Sequence, residues 1–127
     1  MKTRLETDSM GEMPVPADAL YGASTQRAVL NFPVSGRFVP LPIIHAYGLI
    51  KWAAARVHRD LGFLHAETAA LIEQAALEVA DGTLDAHFVI DIYQTGSGTS
   101  TNMNVNEVIS NRACQLAGKP IGAKDPV

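Results

Sequence analysis

What the chain has little of closes several classes of function at once. One cysteine, Cys114, among 127 residues leaves no intramolecular disulfide; this fits a reducing compartment, and a cytoplasmic location is expected. Ten Lys+Arg against thirteen Asp+Glu give a formal charge of −3, so there is no basic surplus to neutralise a phosphate backbone, and nucleic acid is not an expected partner. Long apolar runs are missing too. His45, Lys51 and Arg56 interrupt the most apolar stretch well before the ~20 residues that a membrane span needs, and the first residues are too polar for a signal peptide. The four histidines, His45, His58, His65 and His87, show no metal-ligand spacing and have no carboxylate at a zinc-site interval. Neither a membrane nor a metal is expected.

What is present is enough apolar material, 47% of residues, to build one core, and a length that fits a single domain rather than two. No internal repeat is visible. Residues 1 to 40 carry Pro14, Pro16, Pro33 and Pro40 with Gly11, Gly22 and Gly36, a density that reads as irregular, with short helical turns at most between Ala17 and Leu30. From Ile43 the residues Ile43, Ala46, Tyr47, Ile50, Ala53, Ala54, Val57 and Leu61 recur on one helical face, with Pro42 suited to the first turn and Gly62 to the stop. A second helix is expected from about Ala66 to Ala80, with Ala69, Ile72, Ala76, Val79 and Ala80 facing inward and the first helix as its hairpin partner. A third is expected from about Asn102 to Ala117 on Val105, Val108, Ile109, Ala113 and Leu116, with Asn104 and Glu107 at capping-box spacing. Phe88 to Ile92 fits either an extended stretch or a helical turn. The expected class is mainly α.

Chemistry concentrates in Gln94-Thr95-Gly96-Ser97-Gly98-Thr99-Ser100-Thr101-Asn102-Met103-Asn104, where two glycines and many hydroxyl and amide side chains precede a helix. The first amides of a helix lack intrahelical acceptors and carry positive partial charge, so this composition suits an anion such as a carboxylate. Hydrogen bonds to a charged group contribute about 1.5–3 kcal/mol each, more than the roughly 0.3–1 kcal/mol of the dipole, which makes Ser97 and Thr99 the weightier donors. The same residues also read as a helix cap and a turn. Nucleotide motifs fit worse, because Gly96-Ser97-Gly98 lacks the third glycine of a dinucleotide fingerprint and no Gly-Lys-Ser/Thr follows. Elsewhere the ordinary reading prevails. His45 is expected as a hydrogen-bonded helix residue, Cys114 as a packing residue, Asp81, Asp85 and Asp91 as helix-end and turn residues, and Arg27 as one half of an ion pair.

The run Gln94 to Asn111, QTGSGTSTNMNVNEVISN, resembles the signature of class II fumarate hydratases within the fumarase/aspartase superfamily. Met10-Gly11-Glu12, Val15 to Ala23, Thr25-Gln26-Arg27 and Asn31-Phe32-Pro33 are similar to the amino-terminal segment of that family, and Pro42, His45 and Lys51 to Ala55 to its first long helix. The resemblance implies the amino-terminal domain (residues 1–127) of a longer enzyme, with its central helical bundle and carboxy-terminal domain absent. It also implies reversible, cofactor-free hydration of fumarate to (S)-malate in the tricarboxylic acid cycle, by a homotetramer. By position, Ser97, Gly98 and Thr99 would bind a substrate carboxylate, with Thr95, Asn102 and Asn104 shaping the loop. Thr95 and Ser97, and with them His45, favour water over the ammonia of the aspartate ammonia-lyases.

In that family the base is a serine on a Gly-Ser-Ser loop, aided by a central-domain histidine, and none of those motifs occurs in this chain. The chain is therefore expected to carry no catalytic residue, to be a truncated piece, and to be inactive alone. Two rivals stand beside this reading: an ammonia-lyase of the same superfamily, and a non-catalytic module that binds carboxylates or associates with a longer relative.

Overall fold

The amino-terminal third is more regular than its prolines predict. In the computed structural model, which describes residues 1–127, it opens with an antiparallel ribbon of β1 (Thr3–Asp8) and β2 (Gly11–Pro16). A two-stranded ribbon is all edge. Pro14 and Pro16 stand two residues apart, opposite Leu5 and Thr3, and both turn their donor-less nitrogens to the outer side. Asp8 closes the turn by accepting from the Met10 N–H at 2.9 Å. Arg4 then pins the segment that follows. Its guanidinium donates to the carbonyls of Pro16, Ala17, Ala19 and Tyr21 at 2.7–3.1 Å and pairs with the buried Glu6 at 2.8 Å, satisfying four carbonyls that have no ladder of their own.

A complete helix, α1 (Ala23–Asn31), replaces the short turns expected up to Leu30. Next come α2 (Leu41–Asp60), with Pro42 in its first turn, and α3 (Ala66–Ala80), whose bounds match the periodicity; the two pack as a hairpin. The buried face of α2 is not the expected one. Of that face Ile43, Ala46, Ile50, Ala53, Val57 and Leu61 are exposed, Tyr47 and Ala54 are half-buried with Tyr47 packed against the core, and the buried residues of α2 are Ile44, Gly48 and Ala55. Gly48 permits the close approach, because a Cβ there would lie 2.6 Å from the Ala80 nitrogen and 2.8 Å from the Ala76 carbonyl oxygen.

Between α3 and the last helix, one 3₁₀ turn (Asp85–His87) leads into extended chain. There Val39 N–H donates to the Ile90 carbonyl and Ile92 N–H to the Arg37 carbonyl, which settles the Phe88–Ile92 stretch as extended. The last helix, α4 (Thr99–Leu116), begins three residues before the expected start. It buries Val105, Val108, Ile109 and Ala113 in a core completed by Leu20, Ile44, Ala75, Ala76, Val79, Leu84 and Phe88. Cys114 is fully buried beside them. The fold is thus mainly helical with one small sheet, and no helix is long and apolar enough to cross a membrane.

Candidate functional site

The polar loop sits where the extended stretch turns into α4, and its geometry is fixed from both ends. At its root, the buried Asp91 carboxylate accepts from the Tyr93 N–H (2.9 Å), the Ser35 N–H (2.8 Å) and hydroxyl, and the Gly36 N–H (2.9 Å). The Tyr93 amide, with those of Ser35 and Gly36, holds this carboxyl below its ordinary range, although burial opposes the shift. At the other end, Thr101 N–H donates to Gln94 Oε1 (3.2 Å) while Gln94 Nε2 donates to Thr101 Oγ1 (2.8 Å). Thr101 is buried in the first turn of α4, so Gln94 is tied to the helix body.

Between these anchors the loop is open. Gly98 is the cap residue of α4 at φ +79°, a left-handed conformation that a side chain would strain, and a Cβ there would meet only open space. Thr95, Ser97 and Thr99 are exposed and form a row, with Thr95 Oγ1 3.2 Å from Ser97 Oγ and Ser97 Oγ 2.7 Å from Thr99 Oγ1. Ser97 Oγ also accepts from the Thr99 N–H at 3.3 Å. The amides of Thr95, Gly96, Ser97, Gly98 and Ser100 meet no protein acceptor, leaving a cluster of donors at the positive end of an 18-residue helix. Beside it runs a groove of about 340 Å³ lined by Ile43, Tyr47 and Ile92 on its apolar side and by Gln94, Gly98 and Thr101 on the loop side. The arrangement can grip an anionic group at its rim and shelter a short hydrocarbon.

The predicted residues divide between two depths. Thr95, Ser97, Gly98 and Thr99 share the rim of the loop, and Asn102 lies half-buried at the end of the first turn of α4 with no side-chain hydrogen bond. Asn104 is buried beneath. It accepts from the Val89 N–H and donates to the His87 carbonyl at 3.0 Å, so it braces the extended stretch rather than the loop. The capping pair Asn104/Glu107 does not cap α4, because both residues lie inside the helix; Glu107 caps α1 instead. Gln94 and Thr101 belong to the run that suits an anion but had no role assigned by the sequence, and Asp91, expected as a turn residue, is the third support.

Other candidates have settled roles. His45 Nε2 lies 2.8 Å from Asp85 Oδ1, and Asp81 accepts from the Thr83 N–H and hydroxyl. Arg27 pairs with Asp8 at 2.8 Å, and that arginine holds the Asp8 carboxyl low. A second hollow, of about 410 Å³, lies between the ribbon and α4, but its acids are engaged: Glu6 by Arg4, Asp8 by Arg27, Glu107 by α1. No group of three or more His, Cys, Asp or Glu is placed to hold a metal.

Against this geometry, a family profile described as a lyase matches residues 11–127. The chain belongs to this lyase family. Its sequence is 58% identical over 125 residues to fumarate hydratase class II 1 of Pseudomonas aeruginosa, covering 98% of this chain and 27% of that one. Among solved structures, this lyase chain superposes on the native fumarate lyase:delta crystallin of Brucella melitensis with a TM-score of 0.94 at 42% identity, covering 98% of this chain and 29% of the other. The recombinant class II fumarase of Schistosoma mansoni gives a TM-score of 0.92 at 41% identity, covering 95% and 26%. The chain spans about a quarter of the length of these relatives.

Proposed function

We propose that this chain is the amino-terminal domain of a class II fumarase-type lyase and supplies the grip on one substrate carboxylate for the reversible hydration of fumarate to (S)-malate. The observation that carries the reading is the open start of α4, where amides without a protein acceptor and the neighbouring Ser97 and Thr99 hydroxyls flank Gly98. Ser97, Gly98 and Thr99 hold the carboxylate, Thr95 extends the hydroxyl row, Asn102 lines its inner side, and Asn104 braces the stretch below. The central helical bundle, the carboxy-terminal domain, the base and the acid belong to the rest of the polypeptide, which assembles as a cytoplasmic homotetramer. The reaction itself needs no cofactor.

The chemistry explains why donors belong here. In the dehydration direction a base takes a proton from the carbon next to a carboxylate. The electron pair moves into that carboxylate, which then carries a second negative charge until the hydroxyl, protonated by the acid, leaves as water and the double bond forms. Donors fixed around that group before the charge develops bind the intermediate more tightly than the ground state, which is what lowers a barrier.

The test is a chimera in which these 127 residues replace the matching part of the Pseudomonas aeruginosa relative. It should convert fumarate to malate without ammonia. Ser97→Ala and Thr99→Val should each cut kcat by about 10²–10³, the range seen when one oxyanion donor is removed. Parental turnover by both variants would remove the loop from the site, and fumarate loss that depends on ammonia would move the activity to the ammonia-lyases.

A further inference from the structure

Two helices of this chain begin on the same pattern, Gly22-Ala23-Ser24-Thr25 for α1 and Gly98-Thr99-Ser100-Thr101 for α4, with the glycine as cap residue in each. The α1 start holds a carboxylate. Glu107, from α4, accepts from the Ser24 N–H at 3.1 Å, from the Thr25 N–H at 2.8 Å and from the Thr25 hydroxyl. At the α4 start the corresponding threonine amide and hydroxyl are taken by Gln94 instead. The serine amide that shares the carboxylate in α1 has, as Ser100, no protein partner in α4. One start is plugged by an internal anion, and the other is tied by a neutral carboxamide that leaves its neighbouring donors free.

From this pair we infer that Gln94 is a positioning residue whose neutrality matters: it fixes the loop against Thr101 without spending the positive end of α4 on an internal charge. The inference rests on the carboxylate-binding reading of the loop. A glutamate of the same length would make the same contact with the Thr101 amide, and α1 shows that this kind of start accepts a carboxylate. Such a charge would satisfy the helix end and repel a dicarboxylate arriving a few ångströms away. Gln94 supplies the tie alone.

In the chimeric enzyme Gln94→Glu should therefore fold with a thermal midpoint no lower than the parent's. Its KM for fumarate should rise about tenfold or more at low salt and its kcat should fall as well, because the intermediate adds a second negative charge to the carboxylate held at this loop; both effects should shrink as salt screens the repulsion. Gln94→Met removes the tie without adding charge; it should lower kcat with no dependence on salt. A parental KM for Gln94→Glu at low salt, or a salt-independent defect equal to that of Gln94→Met, would overturn the inference. Failure of Gln94→Glu to fold would also overturn it, since a carboxylate must be tolerated there. Ser97→Ala, measured in the same background, separates the two levels. If it impairs turnover while Gln94→Glu is silent, only the role of Gln94 falls; if it too is silent, the carboxylate-binding reading fails first.

Discussion

Helices α2 and α4 carry equally clear apolar periodicities, yet the structure treats them in opposite ways. In α4 the face read from the sequence, Val105, Val108, Ile109 and Ala113, is the buried face. In α2 most of the periodic face points outward, with Ile43, Ile50 and Val57 at 49%, 59% and 53% exposure and only Tyr47 of it packed against the core, while the fully buried position goes to Ile44 at 1%. The reason lies in the partner. Where α2 crosses α3, Gly48 lies against the Ala76 carbonyl and the Ala80 nitrogen, and the buried residues of α3 are Ala69, Ala75, Ala76 and Val79, so the two backbones come close and leave no room for a side chain at Gly48. A hydrophobic count weighs a glycine as nothing, although here it sets the distance between two helices. Periodicity reports that a face is apolar; the size of the residues opposite decides whether that face is the one packed.

The strongest way to break this comparison uses two adjacent residues. Ile44→Ala removes a fully buried side chain from the core and should cost about 2–5 kcal/mol, whereas Ile43→Ala should stay within about 0.5 kcal/mol of the parent. Urea midpoints on the 127-residue chain measure both. Equal losses at the two positions would show that the outward face is packed as well as the inward one.

A smaller effect sharpens the α4 side. Asn104 holds the His87 carbonyl, and His87 Nδ1 accepts from the Leu20 N–H at 3.1 Å, so the histidine bonds in its neutral form. Burial pushes the His87 imidazole below its ordinary value, near 6.5. The sign follows. With a depressed folded value, the unfolded chain takes up the proton first, so this contribution is complete above the ordinary value and is lost as pH falls below it toward the folded one. The urea midpoint should decline from about pH 7 to pH 5, and His87→Gln, which keeps an acceptor for Leu20, should flatten that decline. Parallel curves for parent and variant would take His87 out of the account.

Where local pattern and long-range packing agree, the sequence was legible. The bounds of α3, the proline-led start of α2 and the inward face of α4 all follow from spacing and end residues alone. The loop was legible because amides, hydroxyls and glycines crowd one helix start. What escaped depends on partners far along the chain. Glu107 looked like a local cap for α4 but caps α1, 82 positions away from Thr25, and Arg4 organises carbonyls from Pro16 to Tyr21 that no local rule assigns to it. The ribbon was hidden by its own prolines, which disqualify a central strand but not an edge. Thr99 to Thr101 read as loop because serine and threonine favour turns, yet Gly98 in a left-handed conformation starts the helix before them.

The smallest expected effect is the most informative about α2. Ile50→Gln and Val57→Gln replace exposed apolar side chains on the outward stripe, where no buried contact is lost and no polar group is left unpaired. Each should change stability by no more than about 0.5 kcal/mol, and the double variant by roughly the sum, because the sites lie two turns apart and share no core partner. Core substitutions of the same kind would bury an amide without a partner and cost several times more. A loss above about 2 kcal/mol in the double variant, with an unchanged slope of the urea transition, would mean that the stripe is covered in solution and that the contrast with α4 belongs to the sequence pattern rather than to the packing. A near-zero change leaves the contrast standing: one helix buries the face its periodicity marks, and the other displays it.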